Sequence, residues 1–171
     1  MAARPHGLTT KPNEEVDLMK VTHEVIKPKN KGGLGLSTPV IVRFPHILKD
    51  RLESLQSAFD NAIQHKDYKG CFRGVYPVKC NQDRSVVESI VRFGKPYGFG
   101  LESGSKAELL LSMASLCNGS SHSLLICNGY KDSDYVYLAL LARKMGLDCV
   151  IVLEQEEELD LVLHISRKLC I

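Results

Sequence analysis

The chain has 171 residues, enough for one domain with a hydrophobic core. Hydrophobic residues make up 44% of the sequence and charged residues 25%, and the net charge of +2 does not favour nucleic-acid binding. No apolar run approaches the roughly 20 residues of a membrane span, and the six scattered cysteines are typical of reduced thiols rather than a disulfide framework or a zinc site.

The N-terminal region, residues 1–36, is predicted to be a weakly structured lead-in. It carries three prolines and a glycine-rich stretch, with a short helix predicted around residues 14–26. The first 15 residues lack the hydrophobic core of a secretory signal and are too short and acidic for a clear transit peptide. The protein is therefore not expected to be secreted, and its location is open between the cytosol and an organelle.

An ordered domain is predicted over residues 37–171, beginning with a strand–helix lead-in. The β-branched run Val40–Phe44 predicts a short strand bounded by two prolines. Apolar residues then recur at three- and four-residue steps from Leu48 to Ile63, which predicts an amphipathic helix.

Four strand–helix units follow in regular succession. Their strands are predicted to start near residues 74, 97, 123 and 148. Their helices are predicted over residues 83–93, 105–116, 132–145 and 156–169. This period of about 25 residues is typical of βαβ units and a parallel sheet. The apolar runs within the strands predict strands that are covered on both faces.

Two architectures suit this repeat: a doubly wound open sheet and an eight-fold (β/α) barrel. The sequence stops at Ile171, where a fifth strand would begin, and four units of a barrel would leave two strand edges unpaired. A truncated chain is therefore expected.

Lys79 is the main candidate for a functional residue. In both architectures active-site residues lie just past the carboxyl ends of strands, and Lys79 directly follows an apolar strand. Partial desolvation there would favour the neutral amine that Schiff-base chemistry requires. From position alone, a snorkelling or salt-bridged lysine is the favoured interpretation. The neighbouring Cys80 is predicted to point away from Lys79 as a small buried side chain.

Four glutamates cluster at the start of the last helix, namely Glu154, Glu156, Glu157 and Glu158. Negative charge at a helix N-terminus is favoured by the helix dipole, which explains the cluster without a ligand. No histidine or aspartate partners are spaced as metal ligands, so no metal-binding residues are predicted.

Several blocks of the sequence resemble one enzyme family. Residues 76–81 (YPVKCN) resemble the cofactor-lysine strand of the alanine-racemase-like pyridoxal-phosphate enzymes, which include the ornithine, diaminopimelate and arginine decarboxylases. Further blocks resemble the biosynthetic arginine decarboxylase branch in its plant-type form: residues 33–45, 74–84, 99–106, 127–132 and 150–160. The resemblance covers most of the chain from residue 32 onward.

The resemblance implies an α/β fold, a partial (β/α)8 barrel of the TIM type made of its first four βα units. It implies that Lys79 is the catalytic residue and binds pyridoxal 5'-phosphate as a Schiff base. It places Glu102 beside the cofactor, where a surface carboxylate at a strand end is the alternative interpretation. The family resemblance also implies Mg²⁺, a homo-oligomer, and a cytoplasmic or plastid (chloroplast) location.

The implied activity of the full-length enzyme is decarboxylation of L-arginine to agmatine and CO2, the first step of a route to putrescine and spermidine. The family's phosphate-binding glycine loop, its ring-stacking histidine and its C-terminal β-domain have no counterpart in this sequence. The chain is therefore expected to be an inactive N-terminal fragment.

Three alternatives remain open. One is a related decarboxylase that acts on ornithine or diaminopimelate. Another is a non-catalytic truncated homologue that serves as a binding or regulatory subunit. The third, a single-barrel cofactor-binding protein without decarboxylase activity, fits poorly because its members usually lack a long lead-in.

Overall fold

A computed structural model describes residues 8–9 and 15–171. The chain divides into two compact units, Met1–Ile47 and Leu48–Ile171, and each is described by itself. The domain boundary predicted between residues 36 and 37 stays a prediction. Within the described residues, no helix has both the length and the apolar character that crossing a membrane requires.

The first unit contains a small antiparallel ladder, an α-helix and one turn of 3₁₀ helix at Lys29–Lys31. Strands β1 (Leu8–Thr9) and β2 (Glu15–Val16) pair with each other, and helix α1 (Leu18–Ile26) follows them. Helix α1 begins after Asp17 because the Asp17 carboxylate accepts hydrogen bonds from the backbone N–H groups of Met19 and Lys20. The short helix predicted in this region is therefore confirmed over residues 18–26.

The strand predicted at Val40–Phe44 is wrong, because residues 37–44, all of them described, form no strand. Ile41 is 81% exposed, and β-branched residues favour a strand only where a neighbouring strand pairs with them. The predicted helix does follow, as α2 (Pro45–His65). Its apolar stripe is only partly covered, since Leu55 and Phe59 are both exposed.

The second unit is built on a four-stranded parallel sheet in the order β3-β4-β5-β6. The strands are β3 (Val75–Pro77), β4 (Gly100–Ser103), β5 (Leu124–Cys127) and β6 (Asp148–Ile151). The helices that follow them are α3 (Arg84–Gly94), α4 (Lys106–Leu116), α5 (Ser133–Lys144) and α6 (Glu156–Leu169). The four predicted strand–helix units are thus confirmed.

The hydrophobic core lies between the helices and one face of this sheet. Leu101 and Leu125 form one cluster with residues of α3, α4 and α5, and Ile165 of α6 packs in a second cluster against α5. All four helices therefore cover the same face. A doubly wound sheet carries helices on both faces, whereas a barrel carries them only outside. The sheet is therefore part of a (β/α)8 barrel, as predicted.

The second face of the sheet is less well covered. Leu124 and Ile126 are half-buried there, and Val150 is exposed. The prediction of strands buried on both faces is therefore met by β4, in which all four residues are buried, but not by β5 or β6. In a closed barrel this face points to the interior, and Glu102 of β4 lies on it because side chains alternate along a strand.

Candidate cofactor site

Lys79 lies at the carboxyl edge of the sheet, immediately after β3. The strand ends at Pro77, and residues Val78–Cys80 form one turn of 3₁₀ helix. Val78 is fully buried, whereas the Lys79 side chain is 64% exposed. The strand is therefore shorter than predicted, and the expected desolvation of the Lys79 amine is not observed. The same turn explains why Cys80 is exposed instead of buried, because strand alternation does not extend to it.

Glu102 is buried beside Lys79. The parallel register places Glu102 opposite Pro77, and its Oε1 atom lies 4.0 Å from Lys79 Nζ. The Glu102 side chain is 11% exposed, so a surface carboxylate is the wrong interpretation. Within the described part of the chain, Oε1 has no hydrogen-bond partner. Buried carboxylates are normally fully hydrogen-bonded, so this oxygen is available to an amine or to a bound molecule.

The backbone after Glu102 is held by the next βα unit. The Ser103 carbonyl accepts hydrogen bonds from the Asn128 N–H at 2.9 Å and from the Tyr135 hydroxyl at 2.7 Å. Burial raises the pKa of Tyr135, which keeps its hydroxyl protonated as a donor. The Ser103 hydroxyl donates to Ser112 Oγ at 2.8 Å. Nothing in the spacing of Tyr135 along the sequence indicates its hydrogen bond to the Ser103 carbonyl.

The start of α4 carries a capping box in a modified form. Ser105 Oγ accepts a hydrogen bond from the Glu108 N–H at 3.3 Å, as expected. The Glu108 carboxylate, however, accepts from the N–H of Gly104 at 2.8 Å and from the side-chain amide of Gln82 at 3.0 Å. Glu108 therefore joins the loop that follows Lys79 to the loop that follows Glu102.

Glu158 differs from the rest of its acidic cluster. Its three companions are exposed, whereas the Glu158 side chain is 5% exposed and lies 3.5 Å from the Nζ atom of the fully buried Lys131. A hydrogen bond from the Glu154 N–H is the main reason why the pKa of Glu158 lies below its ordinary value, and the Lys131 charge lowers it further. Sequence reasoning missed this ion pair. The Gln155-x-x-Glu158 capping spacing could have indicated Glu158, but no signal indicated Lys131.

One further contact between side chains lies within the sheet. Cys127 and Cys149, on neighbouring strands, approach to 3.4 Å between sulfur atoms, and this hydrogen bond lowers the pKa of Cys127. Over residues 8–9 and 15–171, no three His, Cys, Asp or Glu side chains are grouped to hold a metal ion. The implied Mg²⁺ therefore has no assigned ligands here and stays a prediction.

The residues at the carboxyl edge fit a cofactor that carries an aldehyde. Such a cofactor needs a primary amine for covalent attachment, which Lys79 supplies on a largely exposed side chain. It also needs a polar partner that is not already satisfied, which Glu102 supplies through its buried oxygen. The fold and the site together are those of a cofactor-binding (β/α)-barrel domain of an enzyme.

Comparison with known proteins identifies the family. The sequence profile of "Pyridoxal-dependent decarboxylase, pyridoxal binding domain" matches residues 50–169. The chain belongs to this family, which confirms the resemblance predicted from the sequence.

Individual relatives agree with this assignment. Arginine decarboxylase 1B, chloroplastic, of Nicotiana tabacum is 62% identical over all 171 residues, and arginine decarboxylase 2 of Arabidopsis thaliana is 59% identical over 169 residues. The crystal structure of the biosynthetic arginine decarboxylase SpeA from Campylobacter jejuni superposes with a TM-score of 0.79 at 32% identity, covering 91% of this chain and 25% of that one. The chain spans 23% of the tobacco protein and 24% of the Arabidopsis protein.

Proposed function

We propose that this chain supplies the cofactor-lysine part of a pyridoxal-phosphate-dependent arginine decarboxylase, which converts L-arginine to agmatine and CO2. The observation that carries the proposal is the 4.0 Å approach of Lys79 Nζ to the buried Oε1 atom of Glu102, which accepts no hydrogen bond from the described residues. The arginine decarboxylases of tobacco and Arabidopsis, similar along nearly the whole chain, favour arginine over ornithine or diaminopimelate.

Lys79 and Glu102 have complementary roles in this proposal. Lys79 attaches the cofactor through its Nζ atom and must lose a proton to do so. Glu102 Oε1 lies where it can hold that proton or orient the Lys79 ammonium group. Bound pyridoxal phosphate would supply the electron sink that decarboxylation of an amino acid requires.

Borohydride reduction of the chain with pyridoxal phosphate, followed by peptide mapping, tests the attachment site. We expect a pyridoxyl group on Lys79 that is absent from Lys79→Ala. Lys95→Ala is the matched control, because Lys95 lies in the turn before β4, at the opposite edge of the sheet, and donates to the Asn118 carbonyl. Labelling spread evenly over many lysines would contradict the assignment of Lys79.

Catalytic competence is tested in a chimera. The matching segment of the tobacco arginine decarboxylase is replaced by this chain, and agmatine release from L-arginine is measured. We expect an active chimera and a loss of at least about 1,000-fold in kcat/KM for Lys79→Ala, since that variant removes the covalent attachment. A well-folded chimera without activity would favour the non-catalytic binding or regulatory subunit instead.

The remaining proposals concern location and assembly. We propose a plastid location because the tobacco relative that matches the entire chain is named chloroplastic. Imaging of a fluorescent fusion in leaf cells distinguishes the plastid from the cytoplasm. The implied homo-oligomer stays a prediction that light scattering of the purified enzyme can test.

A further inference from the structure

A buried ion pair lies at the carboxyl edge of the sheet, between the loop that follows β5 and the first turn of α6. Lys131 and Glu158 have side-chain exposures of 0% and 5%, and their charged atoms are 3.5 Å apart. Lysine and glutamate are almost never fully buried unless they are paired, because removing either charge from water is costly. The pair therefore needs both members.

Each member of the pair also binds the backbone of a strand-end loop. Lys131 Nζ donates a hydrogen bond to the Gly129 carbonyl, in the loop after β5. The Glu158 carboxylate accepts from the Glu154 N–H at 2.8 Å, in the loop after β6. The ion pair thus ties the third βα unit to the fourth.

The loop that Lys131 holds reaches the strand end that carries Glu102. Gly129 has a φ of +75°, and a Cβ atom there would lie 2.5 Å from the Gly104 carbonyl oxygen, so the two backbones are in close contact. The Asn128 N–H donates to the Ser103 carbonyl. Residues 128–129 therefore pack directly against residues 103–104, next to Glu102.

We propose that Lys131 and Glu158 are positioning residues, which hold the Asn128–Gly129 turn against Ser103–Gly104 and so keep the Glu102 carboxylate beside Lys79. The proposal rests on the function proposed for Lys79. Neither residue touches the Lys79 amine, and each acts through the backbone contacts described above.

Amide hydrogen exchange tests the positioning without any cofactor. We expect the Asn128 amide to exchange at least about tenfold faster in the charge-free double variant Lys131→Met/Glu158→Gln than in the parent chain, with the amides of the β4–β5 ladder unchanged. Glu157→Gln is the matched control, since it removes the same charge from an exposed position in the same helical turn. Unchanged exchange at Asn128 would overturn the positioning role.

Labelling of Lys79 tests the consequence for the site. We expect Glu158→Gln and Lys131→Met to raise the pyridoxal phosphate concentration for half-maximal labelling by about tenfold, equivalent to about 1.4 kcal/mol. The double variant Lys131→Met/Glu158→Gln has no lone buried charge, so its melting temperature should recover. Labelling of Lys79 in the double variant should not recover, because the hydrogen bond from Lys131 to the Gly129 carbonyl is still lost.

Hydrogen exchange and labelling of Lys79 together distinguish a failure of the positioning role from a failure of the proposed function. Labelling that recovers together with stability in the double variant would show a purely structural pair and overturn the inference. If the parent chain shows no selective labelling of Lys79, the proposed function fails, and hydrogen exchange at Asn128 alone decides whether the pair positions this loop.

Discussion

Ion pairs with the same separation lie at opposite edges of the sheet. At the amino edge, Asp148 lies 3.5 Å from both Arg73 and Arg143, and every side chain involved is at least 36% exposed. At the carboxyl edge, Lys131 and Glu158 are also 3.5 Å apart but are almost completely buried. The distance is equal and the access of water differs, so the comparison isolates the effect of burial.

Burial changes what each pair contributes. Water already solvates the charges at the amino edge, so their attraction contributes between about 0 and 1 kcal/mol. At the carboxyl edge, loss of one partner leaves the other charge without solvent, which destabilises a protein by roughly 3 to 5 kcal/mol. The amino edge therefore tolerates substitution, whereas the edge that carries Lys79 and Glu102 depends on its buried charges.

The largest expected effect is that of Glu158→Gln, which should lower the free energy of unfolding by about 3 kcal/mol. The reason is that Lys131 would keep its charge in a buried position without a carboxylate partner. Urea denaturation followed by circular dichroism measures the change. A loss below about 1 kcal/mol would mean that water solvates Lys131. The ion pairs at the two edges would then contribute similar amounts to stability.

Acid titration checks that the Glu158 charge is responsible. The pKa of Glu158 in the folded chain is lower than its unfolded value of 4.5. Its stabilising contribution is therefore fully present above pH 4.5 and is lost as the pH falls through the folded-state pKa. The difference in stability between the parent chain and Glu158→Gln should narrow in that acidic range, and a constant difference would point to packing instead.

Gly129→Ala should produce the next largest effect, about 2 kcal/mol. A positive φ alone costs an L residue roughly 1 to 2 kcal/mol, and the new methyl group would also press on the Gly104 carbonyl. Gly146→Ala is the control, because Gly146 has a φ of +93° with no atom within 4 Å of the new Cβ. Equal losses of stability in the two variants would show that the contact between the two loops is not tight.

Much of the fold is predictable because its signals are local. The helix that starts at Lys106 follows from the Ser105 cap and from the apolar spacing after it, and β5 follows from an uninterrupted apolar run. The run Val40–Phe44 has equally strong β propensity but forms no strand, because a strand also needs a pairing partner that the sequence of the run does not specify.

The site is less predictable because it depends on tertiary contacts. Lys79 could be identified from its position after a strand and from the family resemblance, although its exposure could not. Glu156, Glu157 and Glu158 look alike in the sequence, and only the packing of α6 against the preceding unit makes one of them a buried partner of Lys131. The alignment of β3 with β4 is likewise needed to bring Glu102 to Lys79.

Tyr135→Phe should have a smaller effect, about 1 kcal/mol, because it removes one buried hydrogen bond and little volume. The Ser103 carbonyl would still accept a hydrogen bond from the Asn128 N–H, so no acceptor is left unsatisfied. Thermal denaturation measures the change. A loss above about 3 kcal/mol would indicate that the hydroxyl supports the whole carboxyl edge, and the positioning role would then belong to Tyr135 more than to Lys131.

Asp148→Asn should have the smallest effect, within about 0.5 kcal/mol of the parent chain. The variant removes the carboxylate from two arginines that are at least 36% exposed, so water replaces it at both. Urea denaturation at low and at high salt measures the change, and added salt should shrink even this small difference by screening the charges. A loss as large as that of Glu158→Gln would mean that separation, and not burial, determines the contribution of these pairs.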